Sequence, residues 1–209
     1  MSSTFLARSL RAPLLALAAL PLLACAAAAQ VAEPAFDPAL APASGPFFGF
    51  VIEGGIEGGG DEMATTLFED GTTQEMHAGQ GGTVAVGGQV RLNRESPLAL
   101  RGTVGLKYVT TAATNVHIRF TRIPIELVAT YDLPSDMWIG GGVVRHTAMK
   151  FRGDGLGPDM DFDDATGGTV ELGWRWAALT LTSLQYRDAE GGEYDASSAG
   201  LSIIYVFGR

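Results

Sequence analysis

The sequence predicts an all-β fold: an eight-stranded antiparallel transmembrane β-barrel, an up-and-down meander occupying residues 46–209. Three observations predict it. From Phe47 to Phe207, segments of roughly ten residues alternate apolar and polar side chains. The connections between these segments alternate between long and short. An N-terminal export signal precedes them. A barrel that crosses a bacterial outer membrane by strands needs all three.

Residues 1–29 read as a secretory signal. Arg8 and Arg11 supply the positive n-region, and Pro13 to Ala24 (PLLALAALPLLA) the apolar core, broken by Pro21. Ala27, Ala28 and Ala29 are the small residues a signal peptidase needs, so cleavage is expected before Gln30. Cys25 is the only cysteine, which excludes an internal disulfide. It is either removed with the signal or, as the first residue after a lipoprotein box, acylated. No later stretch approaches the apolar length of a membrane helix, so insertion must be by strands. The signal contains two arginines and no acid, so its removal takes the net charge from -9 to -11. Such a chain has no electrostatic footprint for nucleic acid. Residues 30–45 are rich in Pro and Ala, without a period, and read as a periplasmic tail or tether.

The strands follow in order. In the first, Phe47 to Gly58, Phe48, Phe50, Ile52 and Ile56 share a face opposite Glu53 and Glu57. In the second, Gly79 to Asn93, Val84, Val86, Val90 and Leu92 oppose Gln89 and Arg91. In the third, Pro97 to Thr110, Leu98, Leu100, Val104, Leu106 and Tyr108 oppose Arg101, Thr103 and Lys107. This period of two marks a two-faced strand. The fourth, Asn115 to Tyr131, carries Val116, Ile118 and Phe120 and then Ile123, Ile125, Leu127 and Tyr131, which have the opposite parity. Such a flip calls for a bulge near Thr121–Arg122, just before Pro124. The fifth spans Met137 to Phe151, the sixth Thr166 to Trp176, the seventh Leu179 to Arg187 and the eighth Ser198 to Phe207.

Short turns join strands two to three, four to five and six to seven. Longer acidic segments join one to two, five to six and seven to eight, the first with its own hairpin signal at Glu69-Asp70-Gly71. Only the connection after strand three, near Ala112 to Thr114, is shorter than the pattern requires. Short turns on one side and long loops on the other place the short turns in the periplasm. Aromatic residues then fall at both strand ends. The periplasmic set is Phe47, Phe48, Tyr131, Trp138, Trp176, Tyr205 and Phe207; the outer set is Tyr108, Phe120, Phe151 and Tyr186. The less apolar face carries Glu53, Arg91, Arg101, Lys107, Glu126, Glu171 and Arg175, charges of both signs that can pair inside a lumen.

The stretches FFGFVIEGGIEGGGDEM, GQGGTVAVGGQVRL, LRGTVGLKY, RFTRIPIELVATYDL and MWIGGGVVRH resemble the small outer-membrane β-barrel domain family, whose relatives in architecture are the OmpA transmembrane domain and OmpX. The resemblance covers most of residues 47 to 207 and implies an outer-membrane location. It also implies a structural or surface-interaction role, with membrane lipids and the barrel-insertion machinery as partners. One departure stands out: Phe207 is followed by Gly208 and Arg209, whereas such barrels usually end on the aromatic residue.

An eight-stranded barrel is just wide enough for its own side chains to fill it, so the expected interior is a plug of ion pairs. The alternative is a narrow ion path. Asp159, Asp161 and Asp163 alternate in the fifth-to-sixth loop and offer oxygen ligands for Ca²⁺ or Mg²⁺, but without the EF-hand spacing. Arg152-Gly153-Asp154 in the same loop is an integrin-type tripeptide. His77, His117 and His146 with Ser197 and Ser198 match no nucleophile–base spacing, so no catalytic residue and no cofactor is expected. A lipid-modifying enzyme and a soluble ligand-binding barrel are the remaining alternatives. A monomer is expected.

Overall fold

The computed structural model describes residues 45–67, 73–113, 116–153 and 159–208. The expected signal and nearly all of the tail lie outside these residues. So do the Glu69-Asp70-Gly71 hairpin signal, Thr114, Asp154 of the tripeptide and Arg209.

Thirteen strands are present among the described residues. In chain order they are β1 (Phe47–Gly58), β2 (Glu62–Leu67), β3 (Thr73–His77), β4 (Gly81–Arg91), β5 (Leu98–Ala113), β6 (Val116–Asp132) and β7 (Met137–Arg152). They continue as β8 (Met160–Asp161), β9 (Ala165–Trp174), β10 (Ala177–Ser183), β11 (Gln185–Arg187), β12 (Glu193–Asp195) and β13 (Ser198–Phe207). The wall runs β1, β4, β5, β6, β7, β9, β10, β13 and closes where β13 pairs with β1. Every pairing is antiparallel, and apart from the closing β13–β1 pair each joins wall strands consecutive in the chain, so the barrel is the eight-stranded meander that the sequence predicts. Closure leaves no unpaired sheet edge around the wall. The remaining strands are two hairpins, β2–β3 and β11–β12, and the short β8, all at the long-loop end.

The alternation sets which side chains line the interior. On β1, Val51 and Glu53 are buried while Phe50, Ile52 and Ile56 are exposed. On β9, Thr169 and Glu171 are buried while Val170, Leu172 and Trp174 are exposed. The same holds on β13, where Ser202 and Ile204 are inside and Leu201, Ile203 and Tyr205 outside. The barrel thus turns aliphatic side chains outward and polar ones inward, the reverse of a water-soluble barrel.

The fourth strand departs from its expected geometry. Ile118, Phe120, Arg122 and Val128 are all buried and share one parity, so β6 carries no flip. The register shift lies where expected, between Thr121 and Ile123, but the extra residue belongs to the partner strand. Thr121 pairs with Lys150 and Ile123 with Thr147, so Ala148 and Met149 of β7 oppose Arg122 alone. Ala148 adopts the left-handed region at φ 50. The inward parity of β7 changes there, from Val144 and His146 below to Met149 and Phe151 above. What changes along β6 is the chemistry of the interior, which turns from polar to apolar above Arg122. Pro124 does disturb pairing, but toward β5: the pairs resume only beyond Gly105 and Leu106.

Candidate functional site: a filled lumen and its outer cap

The interior is stacked in layers. At the short-turn end, Arg91 reaches Asp132 at 2.8 Å and donates to the Ser96 carbonyl at 2.7 Å. Above it lies a small apolar layer of Val51, Trp138, Ala178 and Ile204. The Trp138 indole lies against the backbone of Gly173, where any Cβ would come within 1.9 Å of the ring. Its Nε1 donates to the Arg175 carbonyl at 3.2 Å. The Arg101 guanidinium faces the same ring at 5.5 Å.

Mid-lumen, one terminal nitrogen of Arg101 reaches both oxygens of Glu171, at 2.5 and 2.6 Å. The two residues are 2% and 1% exposed, so the pair is sequestered from water. Thr180 and Ser202 hydrogen-bond nearby at 3.3 Å. Glu53 is buried, with one carboxylate oxygen lacking a partner among the described residues. Glu126 is half-buried on the same inward row. One layer higher, Lys107 bonds Glu57 at 2.9 Å, and the Ser198 hydroxyl donates to the same carboxylate at 2.5 Å. Six of the seven charged residues expected in the lumen therefore line it. Arg175 does not. It sits on the two-residue turn between β9 and β10, exposed and bonded to Asp136 at 3.2 Å. It shares the odd parity of the inward Glu171, but β9 ends at Trp174, and the turn, with Arg175 at φ 54, carries the side chain out of the alternation.

The outer mouth is closed by an apolar cluster that the alternation alone does not reveal. Phe120, Phe151, Phe162 and Tyr186 pack with Met76, Met149, Leu184 and Ala196. The Phe120 ring meets Phe162 at 5.6 Å and Tyr186 at 5.9 Å in tilted and edge-on contacts. Arg122, 0% exposed, ties the cap down. It donates to the carbonyls of Ala78, at 2.6 Å, and Gln80, both on the loop after β3 that folds over the mouth. Its guanidinium lies 4.4 Å from the Phe120 ring. The His146 ring nitrogen and Tyr186 hydroxyl are 2.5 Å apart beneath the cap.

This corrects the outer girdle. Phe120, Phe151 and Tyr186 point into the cap, and only Tyr108 of the expected outer set faces outward. Trp138, expected in the periplasmic girdle, is also inside. Tyr131, Trp176, Tyr205 and Phe207 do face outward at the short-turn end, joined by Trp174. Parity decides orientation, and it separates Trp138 from the outward Met137 and Ile139.

In the outer loops the aspartates are matched by arginines. Arg152 lies 3.8 Å from Asp159 and 2.9 Å from Asp161, and Arg145 bonds Asp164 at 2.8 Å. Asp163 lines a separate recess with Gln185, Arg187 and Glu193. Among the described residues no three carboxylate, histidine or cysteine side chains are grouped to hold a metal, Asp159, Asp161 and Asp163 included. Asp188 organises the β11–β12 hairpin, accepting from the backbone of Gly192 at 2.7 Å and Glu190 at 2.9 Å, and from the Tyr194 hydroxyl at 3.2 Å. These bonds, the Gly192 one foremost, hold its carboxyl below the ordinary 3.8. His77 faces Glu75 at 3.5 Å, and Ser198 is committed to Glu57. No described serine is paired with a histidine.

Neither a protein-family model nor a curated protein matches the chain. Among solved structures, Ail, the attachment invasion locus protein of Yersinia pestis, superposes with a TM-score of 0.41 in its complex with the heparin analogue sucrose octasulfate. That match has 9% identity over 77% of this chain and 99% of that one. A second Ail structure gives a TM-score of 0.41 at 8% identity, over 78% and 99%. Overlaps of this size carry no functional argument. The class is defined by the fold itself: a closed eight-stranded barrel with a polar, filled interior.

Proposed function

We propose that this chain is an outer-membrane barrel whose lumen is sealed and whose outer loops act in surface interaction. The observation that supports it most directly is the outward belt. Leu98, Leu100, Val104 and Leu106 on β5, Ile125 and Leu127 on β6, Ile139 and Val143 on β7, and their counterparts on the other strands are exposed around the wall. A soluble protein does not leave so continuous an apolar band in water. The band has ends. Tyr131, Trp174, Trp176, Tyr205 and Phe207 rim it at the short-turn end. At the other end the outward positions become Arg145, Arg119 and Lys150.

The transport reading finds less support. The Arg101–Glu171 pair, the Lys107–Glu57 pair and the aromatic cap follow one another along the axis. A solute would have to break each in turn. A surface-interaction role is supported by the projecting β2–β3 and β11–β12 hairpins and the acid-rich loops between them. Fractionation tests the membrane placement: the protein should stay with outer membranes through carbonate and salt and leave only with detergent. Release by carbonate would refute it. Planar-bilayer recording tests the seal: no stable conductance is expected, and a steady single-channel step would favour the channel.

A further inference from the structure

The outward belt has one dent. On β1, Gly54 stands between the outward Ile52 and Ile56. A Cβ there would meet nothing closer than 3.8 Å, so a larger residue fits without strain. Gly54 pairs across to Ile203, Ile203 to Ala177, Ala177 to Trp174, and Trp174 to Met137. Two small residues on this one lateral row, Gly54 and Ala177, leave an apolar groove of about 720 Å³ walled by Ile56, Leu179, Leu201 and Trp176. Because barrel strands tilt, the row runs obliquely across the wall.

The groove adjoins a polar recess across Trp176. A second cavity of about 450 Å³ shares Trp176 as a wall and adds Asp136, Arg175 and Tyr205 at the short-turn rim. Arg175 is held there deliberately. Its amide donates to the Asp136 carbonyl at 2.8 Å and its Nε to the Asp136 carboxylate at 3.2 Å. Its guanidinium lies 4.9 Å from the Trp174 ring. Among the described residues, its terminal nitrogens have no bonded partner. Ser135, Asp136 and Arg175 all take left-handed backbone conformations, at φ 66, 59 and 54, where glycine or asparagine is the usual occupant. The chain accepts that strain and keeps charged side chains at this corner.

We propose that this corner binds a glycerophospholipid with an anionic headgroup, its phosphate on the terminal nitrogens of Arg175 and one acyl chain in the groove over Gly54 and Ala177. The proposal rests on the membrane reading above. The groove lies within the apolar belt, so hydrocarbon is the matching chemistry. The cation stands at the rim, where a phosphate would lie, flanked by Trp174 and Trp176 at headgroup level. Asp136 fixes the Nε side of the guanidinium and so aims the remaining donors.

Tryptophan quenching in vesicles tests it. The full chain is reconstituted in phosphatidylcholine containing a fixed fraction of either brominated phosphatidylglycerol or brominated phosphatidylcholine. Trp174 and Trp176 flank the site, whereas Trp138 is inside the barrel and reports neither lipid. The anionic lipid should associate about fivefold more strongly than the zwitterionic one, the effect of one interfacial cation. Arg175→Gln should remove that preference while leaving quenching by both lipids. Gly54→Leu, which fills the groove, should weaken the anionic lipid's quenching while Arg175 stays in place. Equal quenching by both lipids in the unaltered chain, or a preference that survives both substitutions, would overturn the site but not the membrane placement. Quenching that falls as the protein-to-lipid ratio rises would also overturn it, by showing a second copy over the groove. No quenching by either lipid would instead reject the membrane reading.

Discussion

The Arg101–Glu171 pair gives the sharpest test of the filled lumen. Both side chains are almost fully buried and one guanidinium nitrogen contacts both carboxylate oxygens. Truncating Glu171 to Ala leaves a guanidinium in a confined interior with its principal acceptor gone. Removing one partner of a buried pair costs about 3–5 kcal/mol. Arg101→Met should cost a similar amount, because Glu171 is then the stranded charge. The double variant should be more stable than the sum of the two losses by about 1–3 kcal/mol, since neither charge is left behind. Urea unfolding in vesicles, followed by tryptophan fluorescence, measures all four corners of this cycle. Single variants within about 0.5 kcal/mol of the unaltered protein, or strictly additive losses, would refute a packed and paired lumen.

Further predictions come from other layers. Gly173→Ala should destabilise the barrel by about 1–3 kcal/mol, because the added methyl meets the Trp138 ring in a wall that cannot yield; the same unfolding assay reads it. Arg122→Ala should strand the Ala78 and Gln80 carbonyls and loosen the cap, exposing the loop before β4 to protease in intact cells; cleavage no faster than in the unaltered chain would count against the staple. The β11–β12 hairpin should respond to acid in one direction only. The carboxyl of Asp188 is depressed in the folded state, so its contribution is complete above the ordinary 3.8 and is lost as pH falls through the lower folded value. Hydrogen-exchange protection at Gly192 should therefore hold from neutral pH down to that range and weaken below it, with the dependence absent in Asp188→Asn. Weakening that begins near neutrality would point to another group.

How much of this was legible in the sequence follows from what alternation can encode. A period of two records inside and outside, so most lumen charges could be read from it: Glu53, Arg101 and Glu171 each fall on the polar parity of their strand. Alternation does not record what the interior is made of at each height. Ile118 and Phe120 share the parity of Arg122 and Glu126, yet their apolarity suggested the opposite face and a flip in β6. They are apolar because the loops close over the mouth and turn the top of the lumen into a hydrophobic core. The same blindness hid Trp138. Its parity is that of the inward residues of β7, and its neighbour across the pair, which only the register reveals, is Gly173, the residue that leaves room for a ring. The true bulge had no local signal: Ala148 is an ordinary alanine, and only the parity change from His146 to Met149 marks it. Arg122 escaped notice because its partners are backbone carbonyls distant in sequence.

The central claim is that outward positions face hydrocarbon and inward ones a sealed polar lumen. Nitroxide scanning of β9 from Thr169 to Leu172 in the Cys25→Ser chain, in vesicles, tests it most directly. Collision with lipid-soluble oxygen should dominate at Val170 and Leu172, while positions 169 and 171 should be shielded from both oxygen and an aqueous nickel reagent. Nickel access at 170 and 172, or a water-accessible 169 and 171, would contradict the account.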